Sequence, residues 1–506
     1  MNTSFVSKLF KRALIVVVVI ASVIFALLVT VFSPERFRAS VEQRLTVAFG
    51  RPAHVASMRY TILRGIGVEA SGVVIEEDPS FGAGPFLKVD SVWADLGIWN
   101  AIRGSGSIVE SLEFERPSVT LVKRDDGVWN WTTLGKASNA PPETAEVGDR
   151  APELALAGTT SVVASRVTTP DRIVLDGASV STIDQTAEPG AIYTYKEMHL
   201  DTTVVPSDAG YHVAGSVSGD SQPAGGEPLD IDAQFDVMLK PPRELPSWQA
   251  EGSIPSGHFA TRNLRLDSMS TRLALVDGKT VHFDQLTATM YGGTIAGSVV
   301  VDVTTAGNRF TADARLAGVS LADALAYRDD LAGSIEGRLS ASFRGSGTLG
   351  HLNTTLASLD GSGHIDVQNA RLVSVGVLQN LAEHGGFHAG AFGGAGTSAR
   401  EVSSNFTVRA GRAELDGATI SGLGDCANMT ASHGWIDLHA PSALSMDGTL
   451  TLLPQFFTDL ATANPDSATL LGAIGALPAI SIPVALNGPV RNPSVRVQWP
   501  SVRGPF

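Results

Sequence analysis

The chain contains a single cysteine, Cys426, among its 506 residues. One thiol cannot build an intramolecular disulfide framework or a multi-thiolate metal site, and we expect Cys426 to be a small buried hydrophobe. Aromatic residues make up only 7% of the chain and charged residues 17%, and the net charge is -14. No cluster of Lys and Arg offsets this acidic balance, which argues against nucleic acid as a partner.

The motifs of common catalytic and cofactor sites are also missing. The sequence has neither the GxSxG nucleophile elbow nor the HExxH zinc motif. Residues 345–350, GSGTLG, match GxGxxG, but they follow a strand pattern and no long helix follows them, so we predict a turn. Residues 277–280, DGKT, lack the first glycine of a phosphate-binding loop and predict a hairpin turn. We therefore expect neither enzyme activity nor a cofactor.

Two weaker arrangements could hold a metal ion. His384 and His388 have the i, i+4 spacing of a ligand pair, but the glycines between them disfavour the helix that such a pair needs. Asp230, Asp232 and Asp236 lie on the same side of one predicted strand and could bind a hard cation. Solvated loop histidines and a solvated strand face explain both arrangements, and we favour that interpretation.

The apolar run from Ala13 to Phe32 contains no charge and predicts a transmembrane helix. About 20 apolar residues rise roughly 30 Å as a helix, which is enough to cross the hydrocarbon core. A cleaved signal peptide is the alternative, but no small-x-small cleavage site follows Phe32. Lys8, Lys11 and Arg12 precede the run and predict a cytoplasmic N-terminus.

After this run, the period of hydrophobicity changes to two. LDIDAQFDVML (229–239) and GRLSASFRG (337–345) alternate apolar and polar residues, as strands with one apolar face do. Asp-Gly pairs recur along the chain, and Asp277-Gly278 separates two apolar runs as a hairpin turn should. Few helical patterns are visible. One lies before the strands, where Ser33 and Pro34 suit a helix start and Gly50 suits its end.

Composition predicts the order of the domains. Residues 136–156 are rich in Pro, Ala and Glu and have no apolar period, so we interpret them as a linker. A flexible glycine-rich loop is predicted at 385–398. The predicted order is a cytoplasmic tail at 1–12, the transmembrane helix at 13–32, an N-terminal β region with an entry helix at 33–135, the linker at 136–156 and a C-terminal β-repeat region at 157–506.

An ordered series of motifs resembles the AsmA family of envelope proteins. Gly50-Arg51-Pro52 follows the entry helix, and residues 78–86 match the element DPxFG..PF. The C-terminal half carries phrases similar to the family's repeats, among them YGGTIAGSVVVD and SIPVALNGPVRNPSVRV. A further element, I..L.f..P.v.L.r...G.wN, is matched by Ile108, Leu112, Pro117, Val119, Leu121, Arg124, Gly127, Trp129 and Asn130.

The resemblance implies a single-pass protein of the Gram-negative inner membrane with a periplasmic body. It also implies kinship to bridge-like lipid transfer proteins. The expected fold is mainly β: an N-terminal transmembrane helix, then a long, curved, groove-forming antiparallel β-sheet with a few short helices. The expected partners are phospholipid acyl chains, the inner membrane, and outer-membrane or assembly-machinery proteins. The expected role is phospholipid transport to the outer membrane and its biogenesis. The alternative is a non-enzymatic scaffold or regulator of outer-membrane protein assembly.

The apolar strand faces supply candidate groove residues. Few long amphipathic helices are available to cover these faces, so either two sheets close on each other or part of the face stays open to a ligand. A closed sandwich core explains each candidate nearly as well. In the acidic stretch IEEDPSFGAGPFLKVD (75–90), Asp78, Pro79, Gly82 and Gly84 are predicted to be turn residues without a catalytic role. The groove candidates are Val281, Phe283, Ile295, Val299, Val301, Leu339, Ala341 and Phe343.

Overall fold

The mainly β prediction is confirmed, and the described residues form 22 strands with a few short helices. They fall into two compact units, one reaching Gln185 and adding Pro189–Pro206, the other comprising Thr186–Glu188 and Ser207–Phe506. The computed structural model describes residues 34–61, 67–82, 84–97, 109–135, 170–186, 191–223, 228–241, 247–262, 264–305, 307–349, 352–373, 375–392, 396–476 and 480–497.

Three predicted segments lie outside the described residues. These are the cytoplasmic tail at 1–12, the transmembrane helix from Ala13 to Phe32 and the linker at 136–156, and all three stay predictions. Within the part of the chain that is described, no helix is long and apolar enough to span a bilayer. The first unit extends beyond the predicted linker, because strands after residue 170 pair with strands before residue 124.

The first unit has one helix and seven strands among its described residues. Strands β1, β2 and β3 pair antiparallel in order, and β4 and β5 lie end to end beside β3. Strand β6 runs parallel to both β4 and β5 and antiparallel to β7, so the prediction of a purely antiparallel sheet is wrong here. The elements are α1 (Pro34–Phe49), β1 (Ala53–Thr61), β2 (Gly67–Glu76), β3 (Pro85–Leu96), β4 (Val109–Glu115), β5 (Ser118–Lys123), β6 (Arg172–Asp184) and β7 (Ala191–Ser207).

Helix α1 confirms the predicted entry helix and covers the edge of β1. It ends at Phe49, before Gly50 takes a positive φ of 68°. An uncovered strand edge offers unpaired N–H and C=O groups to other chains. Here one stripe of helix side chains, spaced four residues apart, occupies that edge. The contacts run from Ala53 N to Thr46 Oγ1 (3.1 Å), from Val55 N to Glu42 Oε1 (2.8 Å) and from Arg38 Nη1 to Ala56 O (3.3 Å).

Two motif residues, Arg51 and Asn130, meet Glu77, which precedes the DPxFG..PF element, in one buried ionic network. The Arg51 guanidinium lies 2.7 Å from the Glu77 carboxylate, and the two side chains are only 3% and 5% exposed. Arg51 also donates to Asn130 O and Thr133 Oγ1, at 2.6 and 2.9 Å. Asn130 Nδ2 donates to Glu77 Oε2 at 2.6 Å, which closes the network. A buried charge pair needs such additional hydrogen bonds to offset its desolvation. Residues far apart in the sequence are thereby fixed to one another.

The acidic stretch at 75–90 is a turn, as predicted. The Asp78 carboxylate accepts a hydrogen bond from Ser80 N at 2.9 Å and caps the 3₁₀ turn Pro79–Phe81. Gly82 and Gly84 follow with φ of 125° and 141°, a backbone region that side chains disfavour. Of the three acids in the stretch before Pro79, Glu77 belongs to the buried network and Asp78 to the cap. Neither is placed for catalysis.

In the second unit, each strand from β8 to β22 pairs antiparallel with the next. The strands are β8 (Gly210–Ser221), β9 (Leu229–Lys240), β10 (Gln249–Ala260), β11 (Arg265–Val276), β12 (Thr280–Met290), β13 (Gly293–Asp302), β14 (Arg309–Ser320), β15 (Ile335–Thr348), β16 (Asp360–Leu372), β17 (Thr397–Arg409), β18 (Arg412–Leu423), β19 (Ala427–Asp437), β20 (Ala443–Leu452), β21 (Ile480–Pro489) and β22 (Ser494–Val497). The helices are α2 (Leu321–Leu325), α3 (Leu352–Ser358), α4 (Val377–His384), α5 (Pro454–Ala463) and α6 (Ala468–Gly475).

One of the two predicted turns in this unit is confirmed and the other is wrong. Asp277 and Gly278 have φ of 52° and 62°, and they join β11 to β12 as the predicted hairpin turn. Residues 345–348 of the GSGTLG segment instead continue strand β15. A turn was the wrong interpretation because glycine runs also occur inside strands where neighbouring groups approach the backbone closely.

The second unit has one large hydrophobic core, formed between its C-terminal strands and a group of helices. We call α4, α5, α6 and the 3₁₀ turn Ala389–Phe392 the helical cap. Leu381, Phe456 and Leu460 of the cap are at most 1% exposed. They pack with strand residues that include Leu450 and Ile482, both fully buried. Each such side chain contributes about 1.5–3 kcal/mol when removed from water, so the core fixes the cap on the strands.

The cap is also tied to the rest of the unit by buried polar groups. Asn464, which follows α5, accepts a hydrogen bond from His388 N at 2.8 Å and donates to His388 O at 3.0 Å. Thr397 Oγ1 accepts from Val377 N at 2.8 Å, at the first residue of α4. The segment predicted as a glycine-rich loop therefore includes a 3₁₀ turn whose Phe392 ring stacks on Phe456, with 4.9 Å between the ring centroids.

A polar clip joins two connections that belong to opposite ends of the strands. Arg328 and Asp330 lie in the β14–β15 connection and pair at 2.8 Å. Arg328 donates to Leu438 O and Ser442 Oγ in the β19–β20 connection, and Ser442 N donates to Asp330 Oδ2, each at 2.8 Å. We call these four residues the clip. Its side chains are mostly shielded from water, with Ser442 only 5% exposed.

The clip requires the strands from β15 to β20 to roll up. Ile335 lies opposite Leu372, and Leu372 lies opposite Thr397, so these three residues are at one end of the strands. Asp437 and Ala443 lie at the other end. In a flat sheet the two corners would lie roughly 36 Å apart along the strands and roughly 24 Å across them. The five residue steps from Asp330 to Ile335 reach at most about 18 Å. Only a strongly curled sheet brings the corners together.

We predict that the buried pair Arg51–Glu77 contributes far more to stability than an exposed pair. Glu77→Gln leaves the Arg51 charge buried without its partner, so the free energy of unfolding should fall by about 3–5 kcal/mol. Urea unfolding followed by tryptophan fluorescence measures this change. Glu69→Gln, which breaks the exposed pair with Arg59, is the matched control and should have a much smaller effect. Equal losses for the two variants would contradict the assignment.

The clip should also give the protein an acid-dependent loss of stability. Burial alone would raise the pKa of Asp330, but hydrogen bonds from Arg328 and Ser442 outweigh it and lower the pKa to about 2. The unfolded carboxyl titrates near 3.8, so this contribution is complete above about pH 4 and is lost as the pH falls toward 2. Asp330→Asn should flatten the unfolding free energy against pH in that window. An unchanged profile would refute the role of this carboxylate.

Candidate functional site

Strands β12 and β13 bring five of the eight predicted groove residues onto one face. Directly opposed residues in a ladder share a face, as do residues two apart along a strand. Val281 opposes Val301, and Phe283 opposes Val299. Ile295 lies on the same face of β13, since it is four positions before Val299 along the strand. The alternation in the sequence therefore gave the correct face for these five positions.

The same face continues across β14 to the other three candidates on β15. Val299 opposes Ala312 of β14. Further along the same face of β14, Ala314 opposes Phe343 and Leu316 opposes Ala341. Leu339 follows by its spacing of two from Ala341. All eight candidates thus form one continuous apolar patch that crosses four strands.

Side-chain exposure is intermediate over most of this patch. Val301 is buried, and the other seven candidates are half-buried. Leu339 packs against the core below the helical cap, so its place is in that core and not in a groove. No hydrophobic core cluster among the described residues includes a residue of β8 to β13.

Helices also leave these strands uncovered. Among the described elements, α2 contacts β14 and β15, α3 contacts β15 and α4 contacts β22, and no helix makes a comparable contact with β8 to β13. We call the apolar side of β8–β13, together with Ala341 and Phe343, the uncovered apolar face. Six neighbouring strands span roughly 24 Å, so this face is long enough to hold an extended hydrocarbon chain.

The opposite face of the same strands carries paired charges. His212 Nε2 lies 2.6 Å from Asp236 Oδ1 on the next strand, and on the neighbouring strands β14 and β15 Asp313 pairs with Arg344. His258 lies between two carboxylates, at 2.6 Å from Asp267 and 3.2 Å from Asp230. Asp230 and Asp236 therefore have histidine partners across the ladder, which agrees with a solvated strand face. Within the described ranges no group of three His, Cys, Asp or Glu side chains could hold a metal ion.

Cys426 is buried in the core below the cap and is not a nucleophile. Its side chain is 3% exposed, and its Sγ lies 3.3 Å from Asp459 Oδ2. Burial and the neighbouring carboxylate raise the pKa of the thiol to about 12. Since the thiolate is the reactive form, Cys426 is inert at neutral pH. The expectation of a small buried hydrophobe is confirmed.

The two histidines of the candidate metal pair are separated by the end of a helix. His384 is the last residue of α4, and its Nδ1 lies 2.8 Å from Asn380 O of the same helix. His388 lies beyond that end, in the segment that Asn464 ties to α5. The helical spacing that a ligand pair needs does not continue through Gly385, so the loop interpretation holds for His388.

A patch of glycines below two phenylalanine rings was not foreseen from the sequence. Gly345 and Gly361 face each other across β15 and β16. A Cβ on either would lie within 3 Å of the Phe343 ring, and one on Gly363 would lie within 3 Å of the Phe406 ring. The glycines thus let these rings lie flat on the strands. The signal was present as GSG in 345–347 and GSG in 361–363, next to alternating apolar residues.

No protein-family model, curated protein or solved structure matches the chain. The similarity to the AsmA family therefore rests on the motifs in the sequence and stays a prediction. Three segments that carry those motifs are joined by the buried network of Arg51, Glu77 and Asn130. The network gives these residues a structural role in the first unit, whichever family the chain belongs to.

We predict that two phenylalanines in the second unit differ strongly in their contribution to stability. Phe456 is fully buried below the cap, so Phe456→Ala should lower the free energy of unfolding by about 3–5 kcal/mol. Phe343 lies half-buried on the uncovered apolar face, and Phe343→Ala should cost roughly 1–2 kcal/mol. Urea unfolding of the full chain compares the two. An equal, large cost would place Phe343 in a sealed core.

Proposed function

We propose that the chain binds lipid acyl chains along the uncovered apolar face and supports phospholipid transport to, and biogenesis of, the outer membrane. In this proposal it is a single-pass protein of the Gram-negative inner membrane with its bulk in the periplasm. The observation that carries the proposal is the row of half-buried apolar side chains on β12 and β13, among them Val281, Phe283 and Val299, which lie in no described core cluster and below no described helix.

A lipid that leaves a bilayer meets a free-energy barrier when its acyl chains enter water. Each methylene exposed to water costs about 0.8 kcal/mol, so a 16-carbon chain crossing water costs on the order of 12 kcal/mol. Transfer from a bilayer to an apolar strand face costs far less, since one hydrocarbon environment replaces another. A protein that offers such a face lowers the barrier in both directions. The face itself gives the movement no direction, so net flow needs another source of free energy.

The membrane anchor is the second part of the proposal. It rests on the apolar run from Ala13 to Phe32 and on the basic residues before it. Helix α1 begins two residues after this run and is fixed to the edge of β1 by three side-chain contacts. An anchor at that point would hold the first unit close to the bilayer from which the lipid comes.

Neighbouring residues on opposite faces allow a matched test. Val299 lies on the uncovered apolar face, and Val300 lies on the polar face, where it opposes His282 and Thr311. An Asp carboxylate beside an acyl chain costs several kcal/mol. Val299→Asp should therefore lower the phospholipid that copurifies with the full-length protein by at least about tenfold. Val300→Asp should change it less than about twofold.

A photocrosslinking amino acid at each of these two positions gives a direct readout. We expect phospholipid adducts at position 299 and none at position 300 when the protein is purified from Gram-negative membranes. Equal adducts at both positions, or none at either, would refute the lipid-binding role. If Val299→Asp stays folded and outer-membrane permeability remains normal, the result would favour the scaffold or regulator of outer-membrane protein assembly.

A further inference from the structure

The rolled part of the second unit is held at its corners by polar contacts between two connections. Arg328 and Asp330 stand between β14 and β15, and Leu438 and Ser442 stand between β19 and β20. We propose that the clip is a latch: its release opens the rolled strands and gives an acyl chain access to the core around Cys426. The access of an acyl chain rests on the proposed function, whereas the opening itself does not.

The latch lies outside the strand ladders of the second unit. The contacts described above join connections at opposite ends of the strands, so no strand ladder has to break when they separate. Arg328 Nε and Nη2 pair with the carboxylate of Asp330, and this fork holds Nη1 on Leu438 O. Loss of the Arg328 guanidinium therefore removes the hydrogen bonds to Leu438 O and Ser442 Oγ at once and leaves only the bond from Ser442 N to Asp330 Oδ2.

The residues beside the latch are the second argument. Leu331 follows Asp330 directly and is buried, and Val490, whose N–H donates to Ser442 O at 2.9 Å, is buried too. Leu321, at the start of the same connection as Arg328, packs against the core below the cap. Separation of the two connections would thus expose Leu331 and Val490, and the connection that moves also carries Leu321 of that core.

Continuity with the uncovered apolar face is the third argument. Leu339 packs against the core below the cap, and it lies on the same face of β15 as Ala341 and Phe343. Hydrocarbon on the uncovered apolar face would therefore adjoin the core at Leu339. With the latch closed, the apolar surface available to a lipid ends at β15. With the latch open, it extends into the core below the cap.

The single cysteine reports on opening. Cys426 lies in the core, and a thiol reagent labels it only when the core opens. With 5,5′-dithiobis(2-nitrobenzoic acid) and the full-length protein, we expect Arg328→Gln to label at least tenfold faster than the unaltered chain. Arg344→Gln removes an arginine from the exposed pair with Asp313 and should label within twofold of it. Equal rates for Arg328→Gln and the unaltered chain would overturn the latch.

A second measurement separates opening from general loss of stability. Labelling is repeated at several urea concentrations below the unfolding transition. Opening at the latch breaks no strand ladder and exposes less surface than global unfolding, so the labelling rate of Arg328→Gln should depend less steeply on urea than global unfolding does. A steep dependence, matching global unfolding, would overturn the proposal. If Arg328→Gln does not fold, the double variant Asp330→Cys with Ser442→Cys replaces it. Amide hydrogen exchange in α5 should be slower when the disulfide between these two positions is formed than when it is reduced. Equal exchange rates in the two states would overturn the latch.

Palmitate distinguishes the latch from the lipid-binding role. In Arg328→Gln, palmitate should slow the labelling of Cys426, because the chain occupies the opened core. Fast labelling that palmitate does not change would leave the opening supported and would overturn access of an acyl chain to the core. In that case a photocrosslinker at position 299 shows whether palmitate still binds to the uncovered apolar face, which is the test of the proposed function.

Discussion

The antiparallel ladder is the constraint on which the second unit depends. Each strand satisfies the backbone hydrogen bonds of the next, so strands can be added in sequence order from β8 to β22 without any crossover. The same ladder turns alternate side chains to opposite faces, and the apolar face then has to be covered by something. The helical cap covers it over the C-terminal strands. Over β8 to β13 no described helix does, and the proposed function follows from that difference.

In both units, side chains take the place of backbone hydrogen-bond partners. Glu42 and Thr46 of α1 accept hydrogen bonds from the edge of β1, where a further strand would otherwise add. Arg328 and Asp330 likewise form hydrogen bonds with backbone groups of another connection, since Arg328 donates to Leu438 O and Asp330 accepts from Ser442 N. The buried pair of Arg51 and Glu77 holds the first unit's motifs together in the same manner. Few charged residues are available in this chain, and several of them serve these joints.

Local patterns in the sequence predicted local structure well. Alternation at 229–239 and 337–345 gave strands β9 and β15, Asp277-Gly278 gave a hairpin, and Pro34 to Gly50 gave the entry helix. The parallel pairing of β6 and the contact between Arg328 and Ser442 join segments distant in sequence, and no local period records them. The face of each groove candidate followed from period two. Whether a helix covers that face, as it does for Leu339, depends on how the chain folds back.

The central claim is that the apolar side of β8 to β13 is left for a lipid to occupy. A cryo-electron microscopy map of the full-length protein, purified from Gram-negative membranes without added lipid, tests it most directly. The account predicts elongated density over Phe283 and Val299 that the chain itself does not explain. A map in which the protein's own side chains seal this face along its whole length would contradict it.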